Sequence, residues 1–121
     1  MQRRICVNLT CGKDAPAKAC EALVVAIASA ASEVETLLFL GAEGVRLSQK
    51  GYADDLRVPG FSPAAELLSN LARAGGKIWA CAPAFNGLSL DKANLIAGAE
   101  VVGGGRLVEF LTKDGTVCIS Y

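Results

Sequence analysis

The chain contains no histidine, and its 12 Lys and Arg residues are balanced by 12 Asp and Glu, leaving no net charge. Without imidazole there is no Ser-His-Asp or Cys-His nucleophile pair, no His-ligated metal site and no side chain built to shuttle protons near neutrality. Without a basic excess there is no electrostatic footprint for nucleic acid or for an anionic membrane surface. Long apolar runs are missing too. The longest, residues 22–31, is interrupted by Ser29 and falls well short of the roughly 20 residues a membrane span requires. Arg3 and Arg4 precede a stretch broken by Asn8 and Thr10, which argues against a signal-peptide core and for a cytoplasmic protein.

Metal and dinucleotide signatures are also lacking. The five cysteines, Cys6, Cys11, Cys20, Cys81 and Cys118, are odd in number, form no Cys-x-x-Cys pair and match no zinc spacing. They read as free thiols, and no structural metal is expected. Gly12-Lys13 has the look of a phosphate loop, but Val7 stands where its first glycine belongs and Asp14 replaces the Ser or Thr. There is no G-x-G-x-x-G, so no nucleotide cofactor is expected.

What the chain has in plenty is apolar surface. Apolar residues make up 52% before its 13 glycines are counted, against roughly 45–50% with glycine included for a typical soluble domain. A chain of 121 residues is one domain, residues 1–121, and cannot hide that much inside itself. Burial against further copies is the natural outlet, which predicts a homo-oligomer.

Local patterns predict strands over residues 4–10, 35–40, 77–82, 100–102 and 116–121. Helices are predicted over 17–31, opened by Asp14 and Pro16, and from Pro63 to about residue 74, capped by Ser62 and stopped by Gly75-Gly76. Residues 44–48 suit one or two helical turns, a short helix is expected over about 89–98, and another runs to about 112. The glycines Gly103, Gly104 and Gly105 before that last helix read as a turn needing positive φ. Alternation of strands and helices at these lengths means an α/β sandwich on a mostly parallel sheet.

In such a sheet ligands bind beyond the carboxyl ends of the strands, where strand order reverses. In the common doubly wound order the first and third strands are neighbours. Cys11, just past the first, and Cys81, ending the third in Trp79-Ala80-Cys81-Ala82-Pro83, would then face one crevice. Cys81 is either a nucleophile presented at a strand exit or a small buried hydrophobe. With no histidine, the field that ionises it would come from backbone N–H groups at a loop or helix start, or from Lys13, Arg46 or Lys77. Lys77, four residues back along the strand, is about 13 Å away and too far to act directly. Cys11 is either a turn residue or a partner for Cys81, and Cys6, Cys20 and Cys118 read as packing residues.

The order and spacing of several short motifs resemble the DsrE/DsrF-like family over the whole chain. They are Asn8-Leu9-Thr10, Gly12-Lys13-Asp14-Ala15-Pro16 before an alanine-rich helix, Gly44-Val45, Gly76-Lys77-Ile78-Trp79-Ala80-Cys81 with Gly87-Leu88 behind it, Gly98-Ala99 through Leu107, and Gly115 to Tyr121. The resemblance implies a three-layer α/β/α domain with a five-stranded parallel sheet, assembled into trimers or hexamers. It implies a small cytoplasmic protein of sulfur metabolism that holds sulfur as a persulfide on Cys81 and passes it between donor and acceptor proteins. Many members carry a second cysteine three residues on and an arginine before the Gly-hydrophobic pair. Here those places hold Ala84 and Asn86, so thioredoxin-like action through Cys-x-x-Cys is excluded.

Three functions fit these residues. The first is a sulfurtransferase-like carrier using Cys81, with Cys11 as its possible partner. The second is a non-catalytic subunit binding a small anion or nucleotide, with Lys13 and Arg46 as counter-charges and Asn86 and Gly87 beside them. The third is an assembly subunit built on apolar faces.

Overall fold

The computed structural model describes residues 2–121. The chain alternates strand and helix: β1 (Arg4–Leu9), α1 (Pro16–Ala31), β2 (Glu35–Leu40), a 3-10 segment (Ala42–Ser48), α2 (Ala64–Arg73), β3 (Lys77–Cys81), α3 (Ala82–Gly87), a 3-10 turn (Lys92–Asn94), β4 (Ala99–Val102), α4 (Gly104–Leu111) and β5 (Thr116–Ser120). The five strands pair in parallel throughout, in the order β4-β3-β2-β1-β5. A five-stranded parallel α/β sheet is therefore what the sequence patterns anticipate, but its lateral order is not.

Each step from β1 through β4 adds the next strand on the same side, and the chain reverses only to lay β5 against the free edge of β1. β2 separates β1 from β3, so the expected adjacency of the first and third strands does not occur. The reversal falls instead between β1 and β5. There Thr10 donates through both its N–H (3.0 Å) and its Oγ1 (2.7 Å) to the carbonyl of Tyr121, closing the crevice with the protein's own backbone.

Helices cover the two faces unequally. α1 and α2 lie on one, over Val7, Leu9, Leu38, Leu40 and Ile78. The buried positions of α1 (Ala19, Cys20, Ala22, Leu23 and Ala26) recur at helical spacing, and their small side chains bring the helix close to the sheet. α4 alone covers the other face, where Cys6, Leu37, Phe39, Trp79 and Val102 pack with Phe110. Trp79 and Phe110 meet edge to face at 6.1 Å. Central β2 is buried at five of its six positions, whereas edge strand β5 is exposed at four of five.

Three local expectations are corrected. Ser62 does not cap α2: Pro63 occupies the N-cap position and the Ala64 N–H already finds the Leu56 carbonyl at 3.0 Å. No helix spans 89–98. The helix starts directly after Cys81, with Pro83 pre-set for its first turn, and stops where Ser89 turns left-handed (φ 54°). Gly103, Gly104 and Gly105 do not supply positive φ, and Gly103 is extended (φ −86°). Among the described residues, no helix is long and apolar enough to cross a membrane.

Candidate functional site

Two short elements meet over the carboxyl ends of β2 and β3. The 3-10 segment follows β2, α3 follows β3, and Val45, Ala80 and Phe85 lock them together in a buried cluster. Gly44 lets the 3-10 segment lie against the end of β1, because a Cβ there would stand 2.3 Å from the carbonyl oxygen of Leu9. Ala42 lies in the left-handed region (φ 47°) although it is not glycine, a conformation that costs roughly 1–2 kcal/mol and that clusters at functional sites. Between the two elements lies an open hollow of about 320 Å³ lined by Ala42, Glu43, Ala84, Gly87 and Leu88. Of these the sequence singles out Ala84, Gly87 and Leu88; Ala42 and Glu43 carry no local signal beyond the turn after β2.

Cys81 ends β3 and is also the N-cap residue of α3, with extended backbone (φ −64°, ψ 118°). It is half-buried, level with Val102 of β4, and packs beside the aromatic cluster under α4. Its side chain makes no capping hydrogen bond, so the sulfur is not tied to the helix it introduces. Asn86 and Gly87 are exposed on α3, in the two turns that follow.

The structure does not bring Cys11 to Cys81. Cys11 is 6% exposed and packs on the α1 and α2 side of the sheet, whereas Cys81 packs on the α4 side, with β2 between their strands. Burial, reinforced by Asp14 and opposed by Lys18, pushes the Cys11 thiol up. Its Sγ lies 3.7 Å from the Ala15 carbonyl. A buried thiol held neutral is a poor nucleophile.

Lys13 and Arg46 are each engaged locally. The Lys13 ammonium lies 2.7 Å from Asp55 and 4.6 Å from the centre of the Tyr52 ring, and Arg46 pairs with Glu43 at 2.8 Å. The loop after β1 has also committed its donors: the Gly12 N–H goes to Asp14 and the Lys13 N–H to the Tyr52 hydroxyl, both at 2.8 Å. A phosphate would find neither N–H free. Arg46 reaches the hollow only through Glu43, which lines it.

Lys77 sits at the opposite end of β3 from Cys81 and joins Arg4 on the carboxylate of Glu35. Among the described residues, no group of three or more Cys, Asp or Glu side chains is placed to hold a metal ion.

The YchN protein of E. coli superposes on 98% of this chain and 100% of its own, with a TM-score of 0.78 and 21% identity. Protein MTH1491 of Methanobacterium thermoautotrophicum, whose function is unknown, covers 99% of this chain and 100% of its own, with a TM-score of 0.70 and 17% identity. No curated protein sequence matches. The sequence profile of the DsrE/DsrF-like family matches residues 4–118, from the first residue of β1 into β5, and the chain belongs to that family.

Proposed function

We propose that the protein is a sulfur carrier that holds sulfane sulfur as a persulfide on Cys81. The family to which it belongs is generally associated with sulfur relay. One observation carries the assignment to this thiol. Cys81 alone combines partial exposure with a position at the carboxyl end of a strand; Cys6, Cys11 and Cys20 are buried, and Cys118 lies within β5.

The chemistry needs neither metal nor histidine. The Cys81 thiolate attacks the outer sulfur of a donor persulfide, R–S–SH, forming Cys81–S–SH and releasing R–S⁻. An acceptor thiolate then attacks that outer sulfur and Cys81 leaves as thiolate. One sulfur atom moves at each step and the relay is redox-neutral. Cys81 is half-buried rather than sealed, which leaves its sulfur within reach of an acceptor chain. With Ala84 at the third position after Cys81, no local thiol competes for the bound sulfur.

The test is to treat the native chain with polysulfide, or with thiosulfate and a donor enzyme, and map the adducts by mass spectrometry. A single added sulfur on Cys81, absent from Cys81→Ala, is expected; labelling confined to other cysteines refutes the assignment. A second reading, a non-catalytic binding or assembly subunit, draws on the paired but exposed Lys13 and Arg46. It predicts that Cys81→Ala leaves small-anion affinity intact.

A further inference from the structure

Cys6 of β1 and Cys118 of β5 are direct register partners in adjacent parallel strands. Partners in register project to the same face, and the pairs on either side confirm that side chains meet across this seam. Two residues before, Arg4 Nε donates to Thr116 Oγ1 at 2.9 Å; two residues after, Asn8 Nδ2 donates to Ser120 Oγ at 3.2 Å. The Cys6 and Cys118 thiols occupy the middle rung of that ladder. Adjacent parallel strands stand about 4.8 Å apart, inside the Cα separation of roughly 4.4–6.8 Å that a disulfide spans. Both thiols are free.

The two differ in access. Cys6 is 1% exposed, packed with Leu37, Phe39 and Phe110, whereas Cys118 is exposed on the edge strand β5. A reagent in solution can therefore meet only Cys118, and only Cys6 stands behind it.

We propose that Cys6 and Cys118 form a redox-active dithiol that exchanges with low-molecular-weight disulfides, a second sulfur site independent of Cys81. The Cys118 thiolate attacks a small disulfide, R–S–S–R, forming a mixed disulfide and releasing R–S⁻. Cys6, as thiolate, attacks the Cys118 sulfur and expels the second R–S⁻. Two electrons pass from the protein to the small disulfide, which leaves as two thiols, and one protein S–S bond forms. Burial and the facing Cys118 thiol push Cys6 up to about 12, so the resting Cys6 thiol does not start the reaction; the part of that push owed to Cys118 ends once Cys118 is held in the mixed disulfide, and contact with that sulfur then carries the second step. An S–S bond reached from an exposed sulfur is of the labile class that exchanges readily.

The experiment equilibrates the native chain with mixtures of reduced and oxidised glutathione, quenches with acid, alkylates the remaining thiols in denaturant and maps the peptides. Joint loss of Cys6 and Cys118 into one cross-linked peptide of the monomer mass is expected. Cys118→Ser should keep Cys6 fully alkylatable, and Cys6→Ser should trap glutathione on Cys118. A persistent mixed disulfide on wild-type Cys118, a Cys118 link between two copies, or two unchanged thiols would each overturn the proposal. The wild-type map decides even if Cys6→Ser does not fold, and it reads nothing from Cys81.

Discussion

Arg4 and Glu35 face each other across the amino ends of β1 and β2, joined by an ion pair although Arg4 is almost sealed from solvent. Lys77 reaches the same carboxylate at 2.8 Å. The guanidinium also donates to Thr116 Oγ1 and to the Phe110 carbonyl, each at 2.9 Å, and lies 3.9 Å from the centre of the Phe110 ring. Glu35→Ala would leave the buried cation without its counter-charge. It should destabilise the fold by about 3 kcal/mol, read as a lower denaturant midpoint at unchanged slope.

The same carboxylate sets an acid limb of stability. Lys77 first, then Arg4, hold Glu35 below its ordinary 4.5 against the opposing effect of burial. The unfolded chain therefore takes up this proton at higher pH than the folded one. The stabilisation is complete above 4.5 and is lost as pH falls through the depressed folded value. Denaturant unfolding at neutral pH and again well below 4.5 should show a larger loss for the wild type than for Glu35→Gln.

Two glycines respond to alanine with opposite sign. At Gly44 the new methyl would stand 2.3 Å from the Leu9 carbonyl oxygen, so Gly44→Ala should cost at least about 2 kcal/mol and disturb the 3-10 segment packed on Ala80 and Phe85. At Gly105, in the first turn of α4, a methyl meets nothing within 4 Å and φ is not positive. Gly105→Ala should stabilise by about 0.5 kcal/mol. Thermal melts of the two variants give the comparison.

Thiol labelling should divide the cysteines by place in the fold. A brief pulse of alkylating reagent on the reduced native chain is expected to mark Cys81 and Cys118 and to spare Cys6, Cys11 and Cys20, which are buried. Denaturant should release all five. Native labelling of Cys11 ahead of Cys81 would contradict the placement of both.

The apolar surplus has a visible remainder. Val117 is 61% exposed and Ile119 40% on β5, and Val108 is 56% exposed on α4. A homo-oligomer that covers these positions should give a light-scattering mass that is a multiple of 12.5 kDa, reduced toward one copy by Val117→Lys with Ile119→Lys.

All five strands were legible because β-rich apolar runs end at Gly, Pro or charged turns, as at Leu40-Gly41 and Gly75-Gly76 before Lys77. The start of α3 was not, because Ala82-Pro83 reads as a loop exit until Pro83 is seen to occupy a first helical turn. Lateral order was hidden for a different reason. Nothing local in Arg4–Leu9 or Lys77–Cys81 states which strand lies beside which, and with β2 between their strands Cys11 and Cys81 do not meet. The same register information, absent from any local window, joined Cys6 to Cys118 across almost the whole chain. The place of Cys81 at the end of β3 was legible by position, since a strand end announces itself even where its neighbours do not.

The position of β5 has a consequence for biosynthesis. β1 lies inside the finished sheet, yet its outer neighbour β5 leaves the ribosome after the four other strands of that sheet. Until residues 116–120 emerge, the Arg4–Leu9 segment keeps a bare hydrogen-bonding edge and its buried guanidinium lacks the Thr116 partner. The nascent sheet must therefore hold together with one margin open, the interval in which pairing with a stray strand competes with completion.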